Sequence, residues 1–249
     1  MKKFISILSI AFLLSCSSDE SSETQQQPTP TPTPQEIRLV KVVETRYSDN
    51  TTNTIDFVYS GNTLSYLEET RSNGNVYRTK YIYENEKLVK LNHFVNGSIS
   101  SPSLFYYIGN LITNYNIYED GINVGHSYEY NTSGYLIKDT HFEDGVIQSV
   151  SNFTLDNNGN VLTATNSSFS SQNHYQYDNK KNPYARAYPE AFLKSLGTYY
   201  SANNVTSESI NNDPAFIVYE FSYNSDGYPT ERIEKMNGVP YEKTVYTYN

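Results

Sequence analysis

The chain has 249 residues, with 18 Lys+Arg against 27 Asp+Glu and a formal net charge of −9. That balance argues against a nucleic-acid binder, which needs a basic face. The chain holds 25 Tyr but a single cysteine, so no intramolecular disulfide can form.

Met1-Lys2-Lys3 is a short basic start, and Phe4 to Leu14 is an apolar run too short to span a bilayer as a mature helix. Leu13-Leu14-Ser15-Cys16 closes that run in the manner of a secretory signal. It resembles the lipobox of bacterial lipoproteins. The resemblance implies a lipoprotein signal peptide over 1–15, cleavage before Cys16, and a fatty (palmitate) chain on Cys16 that ties the protein to a membrane. Ser17-Ser18-Asp19-Glu20 follows directly. It resembles the acidic surface-export signal of Bacteroidota lipoproteins. The resemblance implies an outer-membrane, lipid-anchored location facing the medium. Residues 16–36 form a Ser-, Gln- and Thr-Pro-rich tether, expected to be disordered, in which the prolines from Pro28 to Pro34 favour extended polyproline II.

From residue 37 to 249 one pattern recurs. Aromatic or aliphatic pairs two residues apart stand at Phe57/Tyr59, Tyr81/Tyr83, Phe105/Tyr107, Tyr128/Tyr130, Phe153/Leu155, Tyr175/Tyr177, Phe221/Tyr223 and Tyr246/Tyr248. Their second members step by 24, 24, 23, 25, 22, 46 and 25 residues. A polar turn and an aliphatic residue follow most pairs, as in Tyr128-Glu-Tyr-Asn-Thr-Ser-Gly-Tyr-Leu136. A second turn mark alternates with the first: Asn73-Gly74, Asn96-Gly97, Asp120-Gly121, Asp144-Gly145 and Asn237-Gly238. Such dipeptides suit two-residue hairpin turns, because both positions require positive φ. Each unit therefore reads as strand, tight turn, strand, looser turn. In Val76 to Tyr83 the tyrosines share one face and Arg78 and Lys80 the other. The tyrosines read as structural rails, ring buried and hydroxyl polar. An aromatic platform for a ligand is the alternative.

The pattern breaks at Asn182-Pro183-Tyr184, which leads into Pro189-Glu-Ala-Phe-Leu-Lys-Ser-Leu196-Gly197. Pro at the start, Gly past the end and an apolar face at 189, 192, 193 and 196 predict a short helix near 189–196. We read the step of 46 as two copies, the helix replacing one hairpin and the register resuming at Tyr200. Eight hairpins make about sixteen strands, and an open sheet of that size curls or closes. The expected fold is all-β: an antiparallel up-and-down hairpin meander, curled or closed into a barrel-like sheet, with one short helix.

The Tyr-x-Tyr-x-x-x-Gly-x-Leu unit is similar to the YD repeats of Rhs-type proteins. The domain, with its Tyr177-Asp-Asn-Lys-Lys-Asn-Pro-Tyr184 stretch, resembles a family of uncharacterised Bacteroidota lipoproteins with a porin-like fold. That family carries no agreed activity, so the resemblance transfers no functional residue. Charged residues within strands, such as Glu68, Arg78, Lys80 and Lys138, speak against a lipid-facing wall.

No catalytic residue, metal ligand or cofactor motif emerges. His93 and His141 occupy equivalent positions two units apart, about 19 Å at strand spacing, too far to share a metal. Asp156-Asn-Asn-Gly-Asn160 and Asn224-Ser-Asp-Gly227 resemble calcium loops, but lack Gly and Glu at the required positions and read as turns. The expected function is a surface binding or structural module, with a glycan or peptide as ligand. The alternative is an envelope hydrolase with its site near the 183–197 insertion. Oligomeric state is not legible.

Overall fold

The structure is a computed structural model that describes residues 36–119, 121–197, 201–211 and 213–249. The expected signal peptide, Cys16, most of the expected tether and Tyr200 lie outside the described residues. Residues Ile37–Asn249 form one compact unit.

The strands run β1 (Leu39–Arg46), β2 (Thr52–Ser60), β3 (Thr63–Thr70), β4 (Val76–Glu84), β5 (Lys87–Val95), β6 (Ser98–Ile99), β7 (Ser103–Ile108), β8 (Leu111–Glu119) and β9 (Ile122–Tyr130). They continue as β10 (Leu136–Glu143), β11 (Val146–Leu155), β12 (Val161–Asn166), β13 (Gln172–Tyr177), β14 (Val205–Ile210), β15 (Ile217–Tyr223), β16 (Pro229–Met236) and β17 (Val239–Tyr248). Each pairs antiparallel with its neighbour in sequence, except that β7 pairs with β5 past β6, and β1 pairs with β17. The meander is thereby a closed barrel of 16 strands, with β6 as a short extra strand. Pro102, which cannot donate to a ladder, lies between β6 and β7, and β5 pairs with both.

The repeat is visible in the register. The second residue of each pair lies opposite the aliphatic residue beyond the turn: Tyr59 opposite Leu64, Tyr83 opposite Leu88, Tyr107 opposite Ile112. The closing seam obeys the same rule, with Tyr248 opposite Leu39. A one-residue bulge accompanies each such pair, for example between Ile82 and Tyr83 and between Leu39 and Lys41. A bulge increases strand twist and staggers the next hairpin. Repeated at every hairpin, it supplies the tilt a closed barrel requires.

Tyrosine hydroxyls seal these bulges. Tyr59 donates to Leu39 O at 2.8 Å, Tyr83 to Leu64 O at 3.0 Å, Tyr107 to Leu88 O at 2.8 Å and Tyr130 to Ile112 O at 2.6 Å. Tyr177 donates to Val161 O and Tyr248 to Pro229 O, both at 2.7 Å. Each hydroxyl thus reaches across its own hairpin, from the end of the second strand to the bulged start of the first.

A barrel of this strand number is too wide for its wall side chains to fill. Here residues 178–197, which follow β13, fill part of it. Tyr184, Tyr188 and Phe192 pack against Phe57, Tyr81, Phe105 and Tyr246 from four separate strands, with centroid distances of 5.6–6.4 Å. The single helix, α1 (Glu190–Ser195), buries Leu193. Pro189 is its N-cap rather than its first residue, and Gly197 follows at φ +60°.

This corrects one expectation. The step of 46 is not a disguised hairpin. Tyr177 pairs directly with Val205, as Tyr83 does with Leu88, so the extra residues sit inside a single turn. Asp178 holds its base: its carboxylate accepts from Lys180 N at 2.9 Å, Asn204 N at 3.1 Å and Tyr223 OH. The chain enters the barrel at Ile37 and reaches Asn249 at this same plugged end. The turns at Gly74, Gly97, Gly145 and Gly238 lie at the other end, the mouth.

Candidate functional site

The plug covers one side of the interior. On the other side a cavity of about 490 Å³ remains, bounded by Phe192 and Gly197 of the insertion and by the inner faces of β8–β13. Its polar residues are register neighbours. Tyr128 lies opposite Asp139, Asp139 opposite Ser151, and Ser151 opposite Asn166, so four strands bring their groups into one row. Asn166 Nδ2 donates to Ser151 Oγ at 3.0 Å. Phe105, Tyr115 and Tyr175 add aromatic surface.

His126 stands at the centre. Its Nδ1 lies 2.9 Å and 3.1 Å from the two oxygens of Asp139, and its ring stacks on His141 with centroids 5.0 Å apart. With Asp139 accepting from Nδ1, Nε2 is the imidazole's remaining polar atom. Tyr128 beside it is pushed well above the ordinary phenol range by burial and by the Asp139 charge, so it stays a hydrogen-bond donor at any physiological pH.

The alternation of β9 and β10 alone misplaces this pair. Tyr130 lies opposite Leu136, which would set His126 against Thr140. The bulge between Leu136 and Lys138 shifts the register by one and sets His126 against His141. His93 lies elsewhere on the wall, 3.1 Å from Thr79 Oγ1 and 2.9 Å from Ser103 Oγ. Among the described residues no group of three or more His, Cys, Asp or Glu side chains is placed to hold a metal. The Asp156 loop is a turn, its carboxylate accepting from Asn158 N at 2.8 Å and Asn160 N at 2.9 Å.

A second interior cavity, of about 290 Å³, borders Arg232, Glu208 and Tyr219. Its charged groups are engaged with one another. Arg232 Nη2 donates to Thr244 Oγ1 at 3.1 Å and Glu242 Oε1 at 3.2 Å, and Tyr219 donates to Glu208 at 2.6 Å. Burial raises Glu44 and Glu234 above the usual carboxylate range, with Glu242 adding to both. This network braces the wall. The insertion, expected to flank a hydrolytic site, spends its aromatic side chains on packing, and the hydrolase reading finds no support.

The outer face differs. Cross-strand ion pairs dot it: Lys41 with Asp56 at 3.0 Å, Lys138 with Glu129 at 2.7 Å, Lys235 with Glu220 and Lys243 with Glu231 at 2.6 Å, and Arg78 with Glu68.

No known family profile matches the sequence, and no curated protein matches it. Solved structures do. The barrel is similar to a porin-like protein from Bacteroides uniformis. The TM-score is 0.58 at 13% identity, over 86% of this chain and 96% of that one. A porin-like protein from Bacteroides vulgatus aligns over 86% of this chain and 99% of its own, at 11% identity and a TM-score of 0.41. At such identities the likeness concerns the fold alone.

Proposed function

We propose that this protein is a lipid-anchored envelope binding module whose barrel stands in water and takes a glycan into its interior. The sequence around Cys16 supports the anchor. The outer ion pairs support the aqueous setting, because a wall facing lipid carries an apolar band. One observation carries the binding role: a 490 Å³ cavity in which aromatic rings and a row of carboxylate, hydroxyl and amide groups converge. Aromatic faces stack on the C–H faces of sugars, and such polar groups match sugar hydroxyls. A peptide would need a longer groove.

A glycan array probed with residues 37–249, which hold every strand and the plug, tests this. We expect retention on a subset of glycans, reduced at least about tenfold by Asp139→Asn or Asn166→Ala, each removing about one charge-assisted or neutral hydrogen bond. Retention on none of them would remove the glycan reading.

A further inference from the structure

The mouth carries an arc of apolar side chains, interrupted by Glu143, where a water-filled opening would be polar throughout. On six hairpins an apolar side chain stands at the inner rim: Val95, Ile122, Val146, Phe169, Ile210 or the Met236/Val239 pair. The register sets the direction of those in strands, and Phe169, in the turn after β12, lines the cavity. Ile210 lies opposite Asn173, Val146 opposite Glu143 two residues beyond His141, and Val239 opposite Met236 two residues beyond Glu234. They are not covered: Val146 is 63% exposed, Val239 66% and Phe169 71%. Phe169 also lines the 490 Å³ cavity, so the collar meets the cavity at that point. Along the barrel axis the interior therefore runs from an aromatic floor to a polar belt to an apolar collar.

A free sugar would satisfy the belt and leave the collar in water. A simple fatty chain would do the reverse. We propose that the ligand is an amphiphile, with an uncharged, hydroxyl-rich head at the level of Asp139 and Asn166 and an alkyl or acyl chain running out along the collar. The head is uncharged because a carboxylate, Asp139, lines the cavity and no Lys or Arg does, which disfavours an anion. This inference rests on the interior binding site proposed above.

Titration calorimetry of residues 37–249 with maltose, decyl maltoside below its micelle concentration, and decanoate tests it. Decyl maltoside is expected to bind at least about tenfold more tightly than maltose, from the chain surface it buries, and more tightly than decanoate. The double variant Val146→Ser/Ile210→Ser, at exposed rim positions, should bring decyl maltoside to within about threefold of maltose. Equal affinity for maltose and decyl maltoside would overturn the amphiphile and leave the glycan reading standing. Decanoate binding as tightly as decyl maltoside would overturn the uncharged head. Failure of all three to bind would sink the inference, while the glycan array decides separately on the site itself.

Discussion

A single hydroxyl recurs as the stitch of this structure. Burial pushes Tyr59, Tyr107 and Tyr177 up to about 12, so each stays protonated and donates to a strand carbonyl. Position 155 shows what happens without it: Leu155 keeps the register opposite Val161 but has no hydroxyl to reach back. Tyr223 spends its hydroxyl on Asp178 instead, where the insertion leaves the wall. Replacing Tyr107 by Phe should leave Leu88 O without this donor and cost about 1 kcal/mol. In a domain of this size that is a fall of about 2–4 °C in Tm, measurable by calorimetry. An unchanged Tm would mean that the hydroxyl contributes nothing to holding its hairpin closed.

Among the elements, the looser turns are alike in backbone but not in surroundings. Gly159 and Gly227 sit at φ +89° and +80°, conformations that cost an L-residue about 1–2 kcal/mol. A Cβ at Gly227 would meet nothing within 4 Å. At Gly159 it would fall 2.2 Å from the Tyr135 ring. Gly159→Ala should therefore destabilise by about 1–3 kcal/mol more than Gly227→Ala, the excess reporting the displaced ring. Equal losses in denaturant melts would show that the ring moves aside freely. The helix is likewise an element that its setting sustains. At six residues it is too short to persist alone in water, and it forms because Leu193 and Phe192 have the barrel interior to enter.

At the scale of the whole molecule, the buried phenols titrate against the fold. Their folded pKa lies above the ordinary value of 10, so the stability they carry is complete below pH 10. It is lost as pH rises from 10 towards 12, because the unfolded chain gives up its phenolic protons first. Many such groups share one closed sheet, so the loss should be cooperative. We expect a single alkaline unfolding transition in that window, with tyrosinate absorbance and the far-ultraviolet circular dichroism of the sheet changing together. Phenols that ionise well before the sheet signal changes would mean that the rings are not sealed in the wall.

Much of the barrel was legible along the chain, because the hairpin is a local object. Asn-Gly and Asp-Gly turns, period-two alternation and the spaced tyrosines set strand number, order and facing without any distant partner. Pro189 and Gly197 marked the helix in the same local way. The rest depends on residues far apart in the chain. Closure joins Leu39 to Tyr248, and the insertion's place inside one turn appears only when Tyr177 meets Val205. The pairing of His126 with His141 hangs on a one-residue bulge that alternation does not reveal. The cavity is what the plug leaves unfilled on the far side of the barrel. Its existence is set by the width of a 16-strand ring against the volume of one inserted segment, a balance that no stretch of sequence carries by itself.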